Sequence, residues 1–247
     1  MKRITSTIPT VLEESEYQQA VPPHVGLELA STHFPLSTIS TNIDHEPSLF
    51  YFFLKRLIDI VLVVIGLIML LPVFLVIALC IKLDDGGDIL YFREVIGQYG
   101  KRFYALKFRT MIANAEEYLE KRPELLRKYQ QNMKLAEDPR ITKVGRFLRK
   151  ASLDELPQLF NVLIGQMSLV GPRIIHPSEL PRYGEYAQKR HVVRPGITGS
   201  WQISGRQHII YDERVLLDIR YIDRRSLTGD LAILFKTLKV LVVHTGG

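Results

Sequence analysis

The longest apolar stretch of the chain runs from Ile60 to Ile81 and contains no charged residue. A helix over these 22 residues would rise about 33 Å, enough to cross a hydrocarbon core of about 30 Å. Pro72 lies inside the stretch, where a proline removes a helical hydrogen bond and bends the axis. Basic residues flank both ends, at Lys55 and Lys82, so their distribution gives no clear orientation. A single span and a re-entrant hairpin broken at Pro72 both fit this pattern.

The rest of the pattern predicts one hairpin and several helices. Two short apolar runs, Ile89–Phe92 and Phe103–Leu106, predict strands that pair around Gly97 and Gly100. The expected helices are a charged surface helix over 113–135, whole or split near Pro123, a basic amphipathic helix over Val144–Arg149, and the segments Ser178–His191, Asp212–Arg225 and Leu231–Val243. The fold class expected is α+β and mostly helical, with interfacial amphipathic helices and one small β-hairpin.

Residues 1–47 differ in composition from the remainder of the chain. They contain five prolines and eleven serines and threonines with little apolar periodicity, which predicts a mostly disordered tail. They lack the charged-then-apolar layout of a signal peptide. The predicted organisation is therefore a tail over 1–47, a membrane helix over 48–83 and a folded domain over 84–247.

The charge distribution narrows the possible partners. The formal net charge is +6, but residues 1–47 carry −4, which leaves +10 on residues 48–247. A basic body favours nucleic acid, anionic lipid or phosphorylated substrates. The sequence has no zinc-ligand spacing, no aromatic-rich RNA signature and no basic recognition helix, so we expect no nucleic acid partner. The only cysteine, Cys80, lies in the apolar stretch, which excludes a disulfide within the chain.

The most chemically informative stretch is centred on the adjacent carboxylates Asp154 and Glu155. Ser152 and Glu155 have the spacing of a capping box, and Pro157 is tolerated in a first helical turn, so a helix is predicted to begin here. The dyad would then lie at the positive end of a helix dipole, where a carboxylate stays ionised and a phosphate binds well.

Basic residues flank this dyad on both sides. Arg146, Arg149 and Lys150 precede it, and Arg173 follows it after a Gly-Pro turn. Carboxylates, arginines and a helix N-terminus together suggest phosphoryl chemistry with a metal ion. The alternative is an exposed helix start with structural ion pairs. The loop from Arg194 to Arg206 has three glycines and the only tryptophan, so it could bring backbone donors to a ligand or be an ordinary structural loop.

The ordered motifs resemble the bacterial sugar transferase family, the monotopic phosphoglycosyl transferases. The resemblance extends from about Phe53 to Thr237 and rests on several motifs in order. They are Lys55-Arg56-x-x-Asp59, Lys107-Phe-Arg-Thr-Met111, Asp138-Pro-Arg-Ile-Thr142, Ser152-Leu-Asp-Glu-Leu-Pro-Gln-Leu159, Val170-Gly-Pro-Arg173, Arg194-Pro-Gly-Ile-Thr-Gly199, Gly205-Arg206 and Asp230-Leu-x-Ile-Leu-x-Lys-Thr237. Because only the tail precedes the domain, the chain resembles the minimal catalytic form.

The resemblance implies a reaction and its participants. Such enzymes transfer a sugar-1-phosphate from a UDP-sugar to polyprenyl phosphate in the inner membrane and release UMP, which starts a polysaccharide, O-antigen or glycoprotein glycan. The substrates and partners implied are a UDP-sugar, polyprenyl phosphate and membrane lipid, with the catalytic domain on the cytoplasmic face; a homodimer is left open. The membrane segment would be the re-entrant form, although Leu71 stands where the family usually has a serine before the proline.

The resemblance also assigns roles to residues of the motifs. It implies that Asp154 is the nucleophile and that Glu155, with Asp154, binds Mg²⁺. The residues implied to contact phosphate or nucleotide are Arg149, Arg173, Lys107, Arg109, Arg194, Gly196, Thr198 and Arg206. The rival hypothesis is a membrane-tethered binding protein without catalysis, and release of UMP from a UDP-sugar would separate the two.

Overall fold

The computed structural model describes residues 47–132, 135, 137–204 and 209–245. The prediction of a disordered tail therefore concerns residues that lie, except for Pro47, outside the described part of the chain. Throughout the described ranges the molecule is mostly helical, with a small antiparallel hairpin and one short parallel strand pair. The predicted fold class is confirmed at this level.

The apolar stretch forms one helix, α1, over Leu49–Asp85. Ser48 caps its start by accepting a hydrogen bond from the amide of Tyr51, and Gly86 ends it in the left-handed conformation at φ 73°. By length and composition, α1 is able to cross a membrane. It continues through Pro72, because a proline can bend a helix without ending it. The structure thus has one continuous helix where the sequence predicted a break, and the course of α1 in a membrane stays a prediction.

The first half of α1 is attached to the rest of the molecule by buried polar groups. The Lys55 ammonium donates to the carbonyl of Val170 at 3.0 Å and to the carboxylate of Asp230 at 2.7 Å. The carboxylate of Asp59 accepts from the Ser168 hydroxyl at 2.8 Å and from the Leu169 amide at 3.1 Å. We call these residues the anchor network. It fixes α1 to the segment that leads into Arg173.

The second half of α1 packs on the same body through apolar contacts. Ile77 and Ile81 are buried in a cluster with Phe108 and Leu148. The ring of Phe74 lies 5.4 Å from that of Phe108, centre to centre. Both halves of α1, on either side of Pro72, therefore contact one folded body.

The predicted hairpin is confirmed and is longer than the sequence indicated. Strands β1, Leu90–Ile96, and β2, Arg102–Phe108, pair antiparallel with Leu90 opposite Phe108 and Ile96 opposite Arg102. A 3₁₀ turn joins them, with Gly100 at φ 71°. The inward residues of the hairpin, Val95, Phe103 and Ala105, are buried against α1. This packing places the end of β2 beside the candidate dyad.

Three helices follow the hairpin. The charged region is split into α2, Ala115–Glu120, and α3, Pro123–Asn132, which decides between the whole and the split helix that the sequence left open. The basic amphipathic helix is α4, Lys143–Lys150, capped by the side chain of Thr142. Gly145 lets α4 approach the hairpin closely, since a Cβ at this position would lie 2.1 Å from the carbonyl oxygen of Thr110. This approach brings Arg149 next to the end of β2.

The remaining elements are short until the final two helices. They are a 3₁₀ turn at Leu153–Glu155, α5 at Gln158–Leu163, β3 at Ser168–Val170, a 3₁₀ segment at Pro177–Tyr186, α6 at Ala187–Arg190, β4 at Gly196–Thr198, α7 at Ser200–Ile203, α8 at Tyr211–Arg224 and α9 at Leu227–Thr245. The last two confirm the helices predicted there. The segment predicted as a helix over Ser178–His191 is mostly 3₁₀, with Gly184 in a non-helical conformation inside it.

Strands β3 and β4 form a parallel pair that the sequence did not predict. Ser168 pairs with Gly196, and Val170 with Thr198. Gly196 permits this contact because a Cβ there would lie 2.1 Å from the backbone nitrogen of Gly171. The pair fixes the Gly171–Pro172 turn and therefore the position of Arg173.

Candidate active site

The dyad Asp154–Glu155 lies in the 3₁₀ turn between α4 and α5. The predicted capping box is wrong: Ser152 has φ 57° and ψ 21°, and its side chain makes no capping hydrogen bond. A left-handed residue turns the chain so that its hydroxyl does not reach the amide three residues later. The turn is closed instead by the Leu156 amide, which donates to the Leu153 carbonyl at 3.2 Å. Because α5 has only six residues, the helix dipole contributes little to the dyad.

Lys107 joins the two carboxylates from the end of β2. Its ammonium lies 2.6 Å from Glu155 Oε1 and 3.5 Å from Asp154 Oδ2. Asp154 is buried, with 9% of the residue exposed, whereas 38% of the Glu155 side chain is exposed. One lysine therefore compensates two adjacent carboxylates that differ in their access to solvent.

The surroundings shift the two carboxyl groups in opposite directions. Burial raises the pKa of Asp154, Lys107 opposes that rise, and the neighbouring Glu155 carboxylate adds to it. Burial also acts to raise the pKa of Glu155, but Lys107 outweighs it, with help from Arg173 and Arg93, and the net pKa is lowered. Glu155 is thus the ionised member of the dyad over the wider pH range, and the charge state of Asp154 depends on Lys107.

Arg149 extends from the last turn of α4 toward the same place. Its Nε donates to the hydroxyl of Thr110 at 2.8 Å, and its guanidinium acts electrostatically on Asp154. Burial lowers the pKa of Arg149. The nearby Asp138 is already paired with another arginine, because Arg140 donates to both of its carboxylate oxygens, at 2.8 Å and 2.6 Å. Arg149 is therefore a cation beside the dyad that pairs with no carboxylate among the described residues.

Arg173 follows β3 and is within electrostatic range of Glu155. Its guanidinium is centred 5.0 Å from the ring of Trp201, and Arg214 lies over that ring at the same distance. Its backbone amide donates to buried Asp218 at 3.2 Å. The charge of Arg173 contributes to the lowered pKa of Glu155. The structure thus brings Asp154, Glu155, Lys107, Arg149 and Arg173 into one electrostatic cluster, which we call the dyad cluster.

The other predicted site residues either have contacts outside the dyad cluster, or adjoin Arg173 through the backbone, as Gly196 does, or fall beyond the described residues. Arg109 forms an ion pair with Asp85 at the end of α1. Arg194 is within electrostatic range of Arg56. Gly196 is a packing glycine of β4, and the Thr198 hydroxyl lies 2.7 Å from that of Thr237. Arg206 falls in 205–208, outside the described part of the chain.

Sequence reasoning missed two cations near the dyad cluster. Arg93 in β1 is ion-paired with Glu179 at 3.1 Å, and its charge acts on Glu155. Arg214 in α8 shares the ring of Trp201 with Arg173. Neither residue lies in a motif, so only the pairing of distant elements could have indicated them.

The dyad offers a limited set of oxygen ligands for a metal. Among the described residues, no group of three or more histidines, cysteines, aspartates or glutamates could bind a metal ion. Mg²⁺ is often bound through one or two carboxylates together with substrate phosphates. Adjacent Asp154 and Glu155 fit that donor set, with Glu155 more accessible.

The chain belongs to the bacterial sugar transferase family, whose profile matches residues 50–244. It is 49% identical over 197 residues to an uncharacterized sugar transferase of Haemophilus influenzae, and 47% identical over 199 residues to the undecaprenyl-phosphate galactose phosphotransferase of Salmonella typhimurium. These alignments cover 78% of this chain but only 42% and 41% of those two relatives. The exopolysaccharide production protein ExoY of Sinorhizobium fredii is 43% identical over 196 residues, which cover 78% of this chain and 87% of ExoY.

Proposed function

We propose that this protein transfers a sugar-1-phosphate from a UDP-sugar to polyprenyl phosphate, giving polyprenyl-diphospho-sugar and UMP. The observation that carries the proposal is the dyad cluster, in which Lys107 bridges Asp154 and Glu155 while Arg149 and Arg173 flank them. Relatives named as undecaprenyl-phosphate galactose or N-acetylgalactosamine phosphotransferases support the same reaction type. This reaction would be the initiating step in the assembly of a surface glycan.

Two displacements at phosphorus account for the reaction. The Asp154 carboxylate attacks the β-phosphorus of the UDP-sugar, the bond between that phosphorus and the bridging oxygen breaks, and UMP leaves with the bonding electrons. An oxygen of polyprenyl phosphate then attacks the phosphorus of the phosphosugar–aspartate, and Asp154 leaves as a carboxylate. Lys107 lowers the pKa of Asp154 and so increases the fraction that can attack.

The arginines and the metal would compensate the phosphate charge. Arg149 and Arg173 have planar guanidiniums suited to phosphate oxygens, and they act electrostatically on Asp154 and Glu155 respectively. Glu155, with Asp154, would bind Mg²⁺, which when bound screens the diphosphate and stabilises the leaving phosphate. Arg109, Arg194, Gly196, Thr198 and Arg206 stay proposed contacts of the nucleotide, for which the geometry of the described residues supplies no support.

The contacts of α1 support a re-entrant course in the inner membrane. Its first half is attached through the anchor network and its second half through Ile77 and Ile81, and both attach to one basic body. A spanning helix would carry one half to the opposite membrane face, away from that body. In that course Lys55, Lys82 and the basic body lie on the same side, and because cytoplasmic segments carry an excess of lysine and arginine, we propose that the catalytic domain lies on the cytoplasmic face.

The direct test measures UMP release from purified protein in nanodiscs with Mg²⁺ and a panel of UDP-sugars. We expect sustained UMP release with one sugar only when polyprenyl phosphate is present, and a single-turnover burst without it. Folded protein that releases no UMP under either condition, with any UDP-sugar, would contradict the proposal and favour the binding-protein hypothesis.

Replacing Glu155 with glutamine tests the role of the second carboxylate. We expect turnover to fall by at least about tenfold and the Mg²⁺ concentration needed for half-maximal rate to rise, because an anionic ligand is lost. Glu213→Gln, an exposed position at the start of α8, is the matched control and should not change either value. Unchanged activity with unchanged Mg²⁺ dependence in Glu155→Gln would remove Glu155 from the site.

A further inference from the structure

An apolar groove lies between the second half of α1, the open end of the hairpin and the start of α5. Its volume is about 250 Å³. Every residue that lines it is apolar, and the residues that matter here are Phe74, Ala78, Ile89, Phe108, Pro157 and Phe160. Phe74 lies between two of these rings, 5.4 Å from Phe108 and 6.1 Å from Phe160, centre to centre. The described residues that line the groove contribute no side-chain group that could bind the sugar, nucleotide or phosphate.

We propose that this groove binds the isoprenoid chain of the acceptor next to its phosphate. The inference rests on the proposed function and adds to it the place where the lipid substrate is positioned. The occupant is the acceptor lipid itself rather than an acyl chain of the surrounding bilayer.

The groove and the dyad cluster are built on the same elements of the chain. Phe108 in its wall directly follows Lys107 in β2, and Pro157 comes two residues after Glu155. The apolar cluster beneath it includes Leu148, which precedes Arg149, and is packed by Leu153 and Leu156 on either side of the dyad. A phosphate at the mouth of the groove would therefore meet Lys107 and Arg149 while its chain lies among apolar side chains.

The opposite side of the groove opens toward the apolar surface of α1. Leu75 is 64% exposed and Phe160 is 43% exposed, although both border the groove. Leu71 and Leu79 extend this exposed apolar surface along the helix. In the proposed membrane arrangement the surface contacts lipid, so an isoprenoid chain could enter sideways without crossing water. The charged residues of the dyad cluster are close in sequence to Phe108 and Pro157 of the groove wall, so the proposed site would combine an apolar groove with cations, as a lipid phosphate requires.

The physical effect of the groove is orientation rather than hydrophobic affinity. A polyprenyl chain is already surrounded by hydrocarbon, so moving it from the bilayer to an apolar groove gains little transfer free energy. Fixing the chain fixes the attacking phosphate oxygen relative to the phosphosugar–aspartate, and a misplacement of about 1 Å can cost about 100-fold in rate. The groove should therefore affect the second displacement and leave the first unchanged.

Filling the groove tests the inference. Ala78→Trp places a large side chain inside it, and Val76→Trp adds a similar bulk to an exposed position of α1 outside the groove as a matched control. We expect Ala78→Trp to retain the acceptor-independent UMP burst and the KM for the UDP-sugar. Its kcat/KM for polyprenyl phosphate should fall by about tenfold to 100-fold, and Val76→Trp should match the unmodified protein. Ala78→Leu should give an intermediate loss.

Each of the following results would contradict one particular part of the proposal. An intact burst with unchanged acceptor kcat/KM in Ala78→Trp overturns the groove assignment. If Ala78→Trp misfolds and loses the burst, the acceptor kcat/KM of Ala78→Leu tests the groove assignment in the same way. A saturated alkyl phosphate with the same number of carbons tests whether the groove is specific for the isoprenoid chain. If the protein uses it as well as the isoprenoid phosphate, both before and after the Ala78→Trp substitution, ordinary lipid chains occupy the groove. Absence of a burst from the unmodified protein would contradict the proposed function instead.

Discussion

Replacing Asp154 with asparagine is expected to reduce turnover by at least about 10⁴-fold while the protein stays folded and membrane-bound. The asparagine keeps the size of the side chain but supplies no carboxylate to attack phosphorus. Asp154 is buried and faces Lys107, so the substitution also removes one of the two anions near that ammonium. Because Glu155 remains paired with Lys107 at 2.6 Å, the turn should keep its conformation.

Three measurements define this experiment. UMP release gives the rate, mass spectrometry of a quenched reaction detects the phosphosugar adduct, and thermal unfolding checks the fold. Asp212→Asn, at an exposed position of α8, is the control for loss of one carboxylate. An Asp154→Asn variant that turns over normally, or that still forms the adduct, would exclude Asp154 as the nucleophile.

Replacing Lys107 with methionine is expected to reduce the rate of the UMP burst by about 10²- to 10³-fold at neutral pH. Lys107 opposes the rise in the pKa of Asp154 that burial causes, so without it that pKa rises further. The protonated, unreactive fraction of Asp154 then persists to higher pH, and the acid limb of the burst-rate profile moves upward. The loss should therefore be largest at low pH and smaller at high pH.

The pH profile separates this effect from simple damage to the fold. Lys101→Met, an exposed lysine next to the hairpin turn, is the control and should leave the profile in place. A Lys107→Met variant that loses rate equally at every pH would indicate that Lys107 contacts the substrate phosphates without controlling Asp154. A variant with an unchanged rate would remove Lys107 from the site.

The elements that the sequence predicted correctly are those whose formation depends on residues close together in the sequence. The apolar stretch of α1 and the short apolar runs of β1 and β2 each depend on neighbouring residues, and both appear in the structure. Strands β3 and β4 are only three residues long, so no periodicity could indicate them. They exist because Gly196 lets two backbones approach, which is a contact between segments distant in sequence.

The same distinction applies to the candidate site. The motif pattern singled out Asp154, Glu155, Lys107, Arg149 and Arg173, and the structure brings these five together. The pairing of Arg109 away from these five could not be predicted, because it depends on a competing partner.

Two further residues show that a tertiary arrangement can override the local sequence pattern. Arg109 is two residues from Lys107 but pairs with Asp85, which α1 brings to the same edge of the hairpin. The Ser152–Glu155 spacing matches a capping box, but Ser152 adopts a left-handed conformation that the spacing alone cannot exclude. In both cases a tertiary arrangement replaced the partner that the local pattern indicated.

The anchor network means that the membrane segment and the catalytic body cannot be exchanged as independent modules. Lys55 compensates the buried carboxylate of Asp230 and binds the carbonyl of Val170, three residues before Arg173. Deleting α1 to obtain a water-soluble enzyme, or replacing it with a generic lipid anchor, would leave a buried carboxylate without its cation, which is strongly destabilising. A fusion that moves this catalyst to another membrane or scaffold must therefore carry α1 with it.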